Sequence, residues 1–362
     1  MDRKWITRGY KPGDEDGILA LWKASFPDGE IGRADLAYWN WQFRDPPAGS
    51  ANIRLAAVDE LIVGHYAVIP VPMQVRGEEI QGTLSLDTMT HPDYQRQGIL
   101  TTLASELYAQ LGQQGFPITY GFPNDNSIGP LTGKLQWSYV CSLAVYVKPL
   151  NPDVIVDQLL PNPMLTAAAR PLARFGARIL TAPSRAPSQA QAHLCWLDRF
   201  DARADELWLA THDPSKITLT RSADLLNWRY FQNPLRDYRA VAYEEGGDLV
   251  AYAVLRCMEQ FELRGGMITE LICQPGRDDA LQAVLAAVEE HFVQEEADLT
   301  ACLVHGDGQA TRLLKQNGFL RAPKRAFKEW YFGVRLNDDS VRPDWATDPD
   351  RWYLTFGDTD VI

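Results

Sequence analysis

Short runs of alternating apolar and polar residues divide this chain into predicted strands, and longer amphipathic segments between them predict helices. The stretch "NIRLAAVDELIVGHYAVIPVPMQVRG" predicts two strands joined by an Asp-Glu turn. "IQGTLSLDTMTH" alternates and predicts the next strand, which ends at Pro92 and Asp93. A helix is predicted from about Gly98 to Gln113, and "FPITYGFP" predicts a further strand. The predicted order of elements over the first 150 residues is strand, helix, helix, three strands, helix, strand, helix, strand.

The same pattern occurs twice, at an offset of about 185 residues. Matching pairs are "NWQFRDP" with "NWRYFQNP", "HPDYQ" with "QPGRD", and "GKLQW" with "KQNGF". We therefore predict an α/β (α+β) fold of two tandem domains, each with a mixed, mostly antiparallel central sheet flanked by helices. The predicted boundaries are 1–150 for the first domain, 151–192 for a linker, 193–336 for the second domain and 337–362 for a tail.

The linker and the tail have contrasting compositions. The linker is rich in Pro, Ala and Arg, and a helix would place three of its arginines (Arg170, Arg174 and Arg178) on one face. A solvated linker helix is the favoured interpretation, and contact with a membrane surface is the alternative. The tail, "DPDRWYLTFGDTDVI", holds several large apolar side chains beside acids. A disordered tail rarely has this composition, so we predict that it docks on the protein.

Composition and charge restrict the classes of function. The net charge of −12 argues against a nucleic-acid partner, which needs a basic face. No apolar run approaches the roughly 20 residues that span a bilayer, and the charged start lacks a signal core, so a cytoplasmic protein is expected. The five cysteines include no Cys-x-x-Cys pair. We interpret them as reduced thiols and expect no metal site.

An anion site is predicted where the strand before Pro92 leads into the following helix. The turn has the sequence Gln95-Arg96-Gln97-Gly98-Ile99-Leu100, and Thr101 adds a hydroxyl in the first helical turn. The first N–H groups of a helix have no internal partner and lie at the positive end of its dipole. Glycine at such a turn permits unusual backbone angles and a close approach of the ligand. These features together are suited to a pyrophosphate.

This turn resembles motif A of the GNAT family, the Gcn5-related N-acetyltransferases, whose consensus is Gln/Arg-x-x-Gly-x-Gly/Ala after a strand. The resemblance implies that the turn binds an acyl-CoA, with acetyl-CoA as the first choice. It also implies that the strand around Met89 and Thr90 binds the pantetheine arm through its backbone. Leu100 stands at the final Gly/Ala position and departs from the consensus. A bulky residue there also occurs in a tandem branch similar to the enhanced-intracellular-survival acetyltransferases.

"YGFPNDNSIGPLTGKLQW" resembles motif B of the same family, in which an asparagine near a strand end precedes a helix. Asn124 matches that asparagine, and Ser127 is expected near it at the thioester end of the coenzyme or at the acceptor. Capping of the loop is the alternative role for both residues. The family often places a tyrosine acid in the motif B helix, but Thr132 stands there. Tyr120 is the remaining catalytic candidate, although core packing is favoured for it.

Asp87, on the strand before motif A, is the first candidate for the base or for the anchor of an acceptor amine. Many family members place a carboxylate on this strand, and acyl transfer needs a neutral amine as nucleophile. The alternative is a structural role, in which the carboxylate caps a loop or accepts a backbone N–H. His65, in an alternating strand, is interpreted as a satisfied core histidine.

The second copy departs from motif A, since it reads "CQPGRDDALQAVLAAVEE" and places Asp278 and Asp279 where a pyrophosphate would bind. Carboxylates there would repel phosphates, so coenzyme binding is assigned to the first copy. The predicted function is acyl-CoA-dependent N-acyl transfer to a primary amine of a small molecule, with an amino sugar among the acceptors considered. The alternative is a non-catalytic acyl-CoA-binding or scaffold protein. A homodimer is left open. Aminoacyl-tRNA-dependent transfer fits less well because it leaves Gln95–Leu100 unused.

Overall fold

The computed structural model describes residues 5–159, 170–171, 190–260, 262–306, 308–322 and 330–359. The arginine-bearing linker helix, and with it the hypothesis of a membrane contact, falls almost entirely outside these residues.

The first copy contains the three-stranded meander and the alternating helices that the hydrophobic pattern predicts. Its strands are β1 (Ile6–Gly9), β2 (Asn52–Val58), β3 (Leu61–Val75), β4 (Glu78–Thr90), β5 (Ile118–Gly121), β6 (Ser138–Leu143) and β7 (Val145–Pro149). Its helices are α1 (Glu15–Ser25), α2 (Leu36–Trp39), α3 (Ile99–Gln113) and α4 (Ile128–Lys134), and α5 (Pro152–Leu159) follows.

The second copy repeats this order and is followed by the tail. Its strands are β8 (Leu194–Leu197), β9 (Ile217–Leu219), β10 (Arg239–Glu245), β11 (Asp248–Gln260), β12 (Leu263–Cys273), β13 (Leu299–His305), β14 (Leu320–Arg321) and β15 (Trp330–Leu336), and the tail adds β16 (Leu354–Thr355). Its helices are α6 (Ala202–Thr211), α7 (Ala223–Leu226), α8 (Asp278–Gln294) and α9 (Gly308–Gln316), and the tail adds α10 (Pro343–Ala346). The predicted tandem α/β fold is confirmed.

Two mostly antiparallel sheets form, and each has one parallel pair at its centre. The first sheet has the order β1-β2-β3-β4-β5-β15-β6, and β9 pairs with the far end of β3. The second has the order β14-β7-β13-β12-β11-β10-β8, and β16 pairs with β13. β4 runs parallel to β5, as β12 does to β13. Helix α3 packs on the first sheet through leucines one turn apart, Leu103, Leu107 and Leu111.

The two copies exchange one strand with each other. β15, from the second copy, lies between β5 and β6 of the first sheet, and β7, from the first copy, lies between β13 and β14 of the second. The sheets therefore cross the boundaries proposed from the sequence, because 145–149 complete the second sheet and 330–336 complete the first. A hydrophobic pattern identifies a strand but does not indicate which sheet receives it.

A pair of tryptophans lies where the two copies meet. Trp41 and Trp228 stack with ring centroids 5.0 Å apart and planes inclined by 21°. Each indole N–H donates to the backbone carbonyl of the other tryptophan, at 2.7 Å from Trp41 and 2.9 Å from Trp228. Because the two residues occupy equivalent places in the repeat, the contact is reciprocal, as at a two-fold interface. The repeats are thus related by a pseudo-two-fold axis near this stack.

The tail packs in the middle of the molecule. Trp352, Leu354 and Phe356 are buried, and the Trp352 ring lies 4.7 Å from that of Phe332 in an edge-to-face contact. β16 pairs antiparallel with the C-terminal end of β13, Thr355 with Val304. The apolar side chains of the tail therefore contribute to the core shared by both copies.

Substitutions at Trp228 should separate the contributions of its ring and of its N–H group. Trp228→Ala should lower the free energy of unfolding by about 3–5 kcal/mol, because it empties a buried ring site between the copies. Trp228→Phe retains much of the stack and should lower it by about 1 kcal/mol through the lost hydrogen bond. Guanidinium denaturation measures both. Trp196→Phe, at an indole that is 42% exposed, is the control and should change stability by less than about 0.5 kcal/mol. If Trp228→Phe and Trp196→Phe lower the free energy of unfolding equally, the buried Trp228 indole stabilises the protein no more than an exposed indole does.

Candidate active site

A cleft of about 890 Å³ opens in the first copy where β4 and β5 stop pairing. The parallel ladder consists of Thr83 with Thr119 and Leu84 with Tyr120. Past these pairs, residues 85–90 of β4 line one wall of the cleft, and residues 121–127, after β5, line the other. The turn before α3 closes one end. A sheet that separates at a parallel pair provides a slot for an extended ligand between two backbones.

The turn before α3 combines left-handed backbone with a helix start. Arg96 has φ of 61° and Gly98 has φ of 79°, and α3 begins at the next residue, Ile99. A Cβ on Gly98 would have Thr101 Oγ1 as its nearest neighbour, at 3.6 Å, so the space in front of this residue is open. Such a turn directs successive backbone N–H groups toward one point and, with the helix dipole, favours an anion there.

The cleft brings together most of the residues predicted from the sequence. Its lining includes Asp87, Met89, Thr90, Gln95, Arg96, Gly98, Ile99, Leu100, Thr101, Asn124 and Ser127. Two predicted residues are not part of this lining. The Gln97 side chain is exposed on the turn. Tyr120 is fully buried, and its hydroxyl donates to the carbonyl of Asp358 at 3.3 Å. The geometry therefore gives no support to Tyr120 as the acid that protonates a leaving thiolate.

Asn124 and Ser127 shape one wall of the cleft. The Asn124 side-chain oxygen accepts from the backbone N–H groups of Asn126 and Ser127 at 3.0 and 3.1 Å. The backbone N–H of Asn124 donates to the Ser127 hydroxyl at 2.9 Å. These bonds form an Asx turn that leads into α4. The capping role is thus the observed one, while both residues still line the cleft.

Asp87 lies at a β-bulge, with φ of 44° in the middle of β4. Its carboxylate accepts from Arg33 Nη2 at 2.8 Å and from Gln42 Nε2 at 3.4 Å, one donor on each oxygen. Left-handed backbone at a residue other than glycine is strained by roughly 1–2 kcal/mol, and bulges commonly redirect a side chain beside a functional site. Here the bulge turns the carboxylate toward the cleft and toward Arg33.

His65 supports the bulge from the neighbouring strand. It is buried, its Nδ1 lies 2.8 Å from the carbonyl of Asp87, and burial lowers the pKa of the imidazole. A neutral ring with its proton on Nδ1 donates to this carbonyl. His65 therefore fixes the backbone that carries the Asp87 carboxylate, and the sequence interpretation as a core histidine agrees with this position.

Arg33, Phe26 and Trp330 line the cleft although sequence reasoning did not select them. Arg33 and Phe26 come from the segment between α1 and α2, which has no recognisable motif. Trp330 comes from β15 and reaches the cleft only because of the strand exchange. One sequence signal for Arg33 was present, since Arg221 precedes "SADLLNW" much as Arg33 precedes "ADLAYWNW".

The corresponding helix start in the second copy has its acidic groups engaged. Asp278 accepts from Arg312 Nη2 at 2.9 Å and Asp279 accepts from Arg277 Nη2 at 2.8 Å. The side chain of Arg277 holds the pKa of the Asp279 carboxyl below its usual value. Two carboxylates at this helix start oppose the binding of a phosphate.

Neither metal nor membrane chemistry is indicated by the described residues. Within them, no cluster of three or more His, Cys, Asp or Glu side chains is arranged to hold a metal ion. None of the helices in the same ranges combines the length and the apolar character needed to cross a bilayer.

A family model described as an acetyltransferase (GNAT) domain matches residues 7–140. This range includes the turn before α3, the bulge at Asp87 and both walls of the cleft. No curated protein sequence matches the chain.

Solved structures share the fold at low sequence identity. A conserved protein of Enterococcus faecalis V583 described as a probable N-acyltransferase has a TM-score of 0.63 at 11% identity, over 92% of this chain and 72% of that one. A GCN5-related N-acetyltransferase from Anabaena variabilis has a TM-score of 0.60 at 11% identity, over 92% of this chain and 73% of that one. N-myristoyltransferase from Saccharomyces cerevisiae, with bound myristoyl-CoA, has a TM-score of 0.61 at 11% identity, over 98% of this chain and 89% of that one.

The burial of His65 should make stability depend on pH below neutrality. Because the pKa of His65 is lowered in the fold, the unfolded chain takes up a proton near pH 6.5 that the folded chain does not. Stability should therefore fall as pH drops below about 6.5, by up to about 1.4 kcal/mol per pH unit from this group. Urea denaturation between pH 7.5 and 5.5 should show a shallower dependence for His65→Asn. Parallel curves for the two proteins would contradict a neutral buried His65.

Proposed function

Since residues 7–140 belong to the GNAT acetyltransferase family, we propose that this chain is an acyl-CoA-dependent N-acyltransferase with one working cleft, in its first copy. The proposed donor is acetyl-CoA, and the proposed acceptor is the primary amine of a small molecule. An amino sugar is one acceptor of this kind.

One observation carries this proposal: a single cleft joins the anion-binding turn before α3 to the carboxylate of Asp87. The turn is suited to the pyrophosphate of a coenzyme, through backbone N–H groups and the side chains of Gln95 and Arg96. From there the cleft follows β4 past Thr90 and Met89, whose backbone would pair with an extended pantetheine arm. The thioester would then lie near Asp87, on the side from which an acceptor enters.

The proposed reaction is direct transfer within a ternary complex. The neutral amine attacks the thioester carbonyl, so a C–N bond forms and the C–S bond breaks. The amine loses one proton, the coenzyme leaves as a thiolate, and protonation of the thiolate gives the free thiol and the amide. Asp87 accepts a hydrogen bond from the attacking amine, which orients the amine and takes up developing positive charge.

The acyl length of the donor is proposed from the family model and from the lining of the cleft. The yeast neighbour binds a myristoyl thioester, whereas the family model that matches here is an acetyltransferase domain. Leu86 and Phe122 are among the apolar residues of the cleft. We take acetyl-CoA as the donor, and longer thioesters serve as comparison compounds in the same assays.

Binding of acetyl-CoA should depend on the open space in front of Gly98. At a concentration 100 times its Kd, a ligand stabilises the native state by about 2.7 kcal/mol, so the melting temperature should rise by several degrees. Gly98→Glu places a side chain and a negative charge where the pyrophosphate would bind and should abolish this rise.

Gly276→Glu is the matched control, because Gly276 has φ of +80° and open space around it in the second copy. This variant should carry the same backbone cost and still respond to acetyl-CoA. If the wild-type protein does not respond, or if Gly98→Glu responds as the wild type does, the coenzyme site is not at this turn.

Asp87→Asn should lower turnover while leaving coenzyme binding in place. The amide keeps the shape of the side chain but loses the carboxylate, and loss of a positioned acid-base group typically costs about 10²–10⁴-fold in kcat. Release of the coenzyme thiol measures the rate, and the acetyl-CoA thermal shift reports binding. Asp93→Asn, at an exposed carboxylate near the turn, should leave both unchanged. Full turnover by Asp87→Asn would assign that carboxylate a structural role, whereas binding by the wild-type protein without turnover of any amine would favour a non-catalytic binding protein.

A further inference from the structure

The second copy contains an arginine–carboxylate pair equivalent to Arg33 and Asp87. In the first copy Met89 pairs with His65 across the hairpin, and in the second copy Ile272 pairs with Tyr252 in the same register. The carboxylate stands two residues before this pair in both copies, as Asp87 and as Glu270. Each bonds an arginine that precedes a short helix: Arg33 lies 2.8 Å from Asp87, before α2, and Arg221 lies 3.2 Å from Glu270, before α7.

In the second copy the tail occupies the space beside this pair. The hydroxyl of Thr355 donates to Glu270 Oε2 at 3.1 Å, and the carboxylate of Asp358 accepts from Arg221 Nη2 at 2.7 Å. Between them, Gly357 passes so close to the Glu270 carboxylate that there is no room for a Cβ. A compact group with one hydrogen-bond donor and one carboxylate therefore fills the place beside the pair.

In the first copy the equivalent pair borders the open cleft. Arg33 and Asp87 both line it, with 16% and 10% of their side-chain surfaces exposed. Trp330, Phe26 and Ser25 lie around the same end of the cleft. The two copies can therefore be compared within one molecule. In the second copy the chain itself fills the space beside the pair, whereas in the first copy the pair borders the cleft.

We propose that the acceptor is an amine that also carries a carboxylate, as an α-amino acid does, with the amine bonded to Asp87 and the carboxylate bonded to Arg33. This inference rests on the proposed function and specifies its substrate class. In the second copy the hydroxyl of Thr355 takes the place of the amine, and the carboxylate of Asp358 takes that of the acid.

Charge balance favours a zwitterion over the simpler alternatives. Arg33 and Asp87 together are neutral, and the cleft around them is only partly exposed to water. A simple cationic amine would add one positive charge there and a simple acid one negative charge, whereas a zwitterionic amino acid adds none. Before attack the bound ammonium gives one proton to the Asp87 carboxylate, from which it passes to solvent, so that the amine reacts in its neutral form. Burying an uncompensated charge is the costly case. Phe26 and Trp330 also offer an apolar wall for a side chain.

A panel of matched acceptors tests the proposal with the full-length chain and acetyl-CoA. A mixture of the proteinogenic amino acids is incubated first, and mass spectrometry identifies any N-acetyl product. The amino acid selected is then compared with its amide and with the amine that lacks the carboxyl group, and glucosamine is assayed in parallel. A charged hydrogen bond lost from each analogue should lower kcat/KM by about 10- to 100-fold.

The variants Arg33→Met and Arg33→Lys report on the contact itself. Arg33→Met should lower kcat/KM for the amino acid, mainly through KM, by about 10- to 100-fold more than it does for the matched amine. The loss of the contact between Arg33 and Asp87 affects both substrates alike, so the ratio of the two losses reports on the substrate carboxylate. Arg33→Lys should recover part of the loss, because it restores the charge without the planar fork. Arg8→Met, at an ion pair with Asp14 outside the cleft, is the control and should leave both substrates unaffected.

The two proposals fail in different ways. If acetyl-CoA produces no thermal shift, the proposed function itself fails. If acetyl-CoA binds but the amide, the simple amine or glucosamine is used as well as the amino acid, or if no amino acid is acetylated, the acceptor assignment alone is overturned. Equal effects of Arg33→Met on the amino acid and on the amine would likewise remove the contact between Arg33 and a substrate carboxylate.

Discussion

Each sheet of this protein is completed by a strand from the other copy. β6 joins the first sheet through β15, and β14 joins the second through β7. Unpaired backbone groups inside a sheet are costly, so neither sheet reaches its full hydrogen bonding alone. The stack of Trp41 on Trp228 lies at the same interface. This reciprocal exchange also brings Trp330 to the cleft, and the site is thereby built from both halves of the chain.

Two copies of one fold have diverged around the same charged pair. In the first copy Arg33 and Asp87 border a cleft that leads to the left-handed turn before α3, where we propose that the coenzyme binds. In the second copy Arg221 bonds Glu270 and the tail's Asp358 in a buried network, and the helix start after Gly276 carries two acids, each paired with an arginine. A buried pair that loses one partner is strongly destabilising. The pair in the second copy has therefore become part of the framework, while that in the first copy borders the cleft.

The hydrophobic pattern and the motifs predicted the features that depend on local sequence. Alternation of apolar and polar residues predicted the meander, helical periodicity predicted α3, and the glycine at position 98 predicted the turn. Each of these signals can be read from one sequence without homologues. The density of aromatic residues in the tail likewise indicated docking, and Trp352 is buried.

The strand exchange was not predictable in this way, because β7 and β15 have equivalent patterns that fit either sheet. The place of Arg33 in the cleft and the burial of Tyr120 outside the cleft lining depend on contacts between distant segments. Spacing along the chain does not reveal such contacts. The repeat in the sequence already aligns Asp87 with Glu270. That the tail fills the space beside Glu270 is visible only in the structure.

The position of β15 in the chain, after most of the second copy, has a consequence for biosynthesis. The first sheet needs residues 330–336 between two of its own strands, so it stays incomplete while most of the second copy is still being translated. Domains usually fold in order of synthesis, but here the first sheet must wait for β15 to leave the ribosome. During that interval β5 and β6 expose pairing edges, which are sites for association with other chains. The same exchange that builds the finished cleft therefore leaves these two edges unpaired in the nascent chain until β15 has been synthesised.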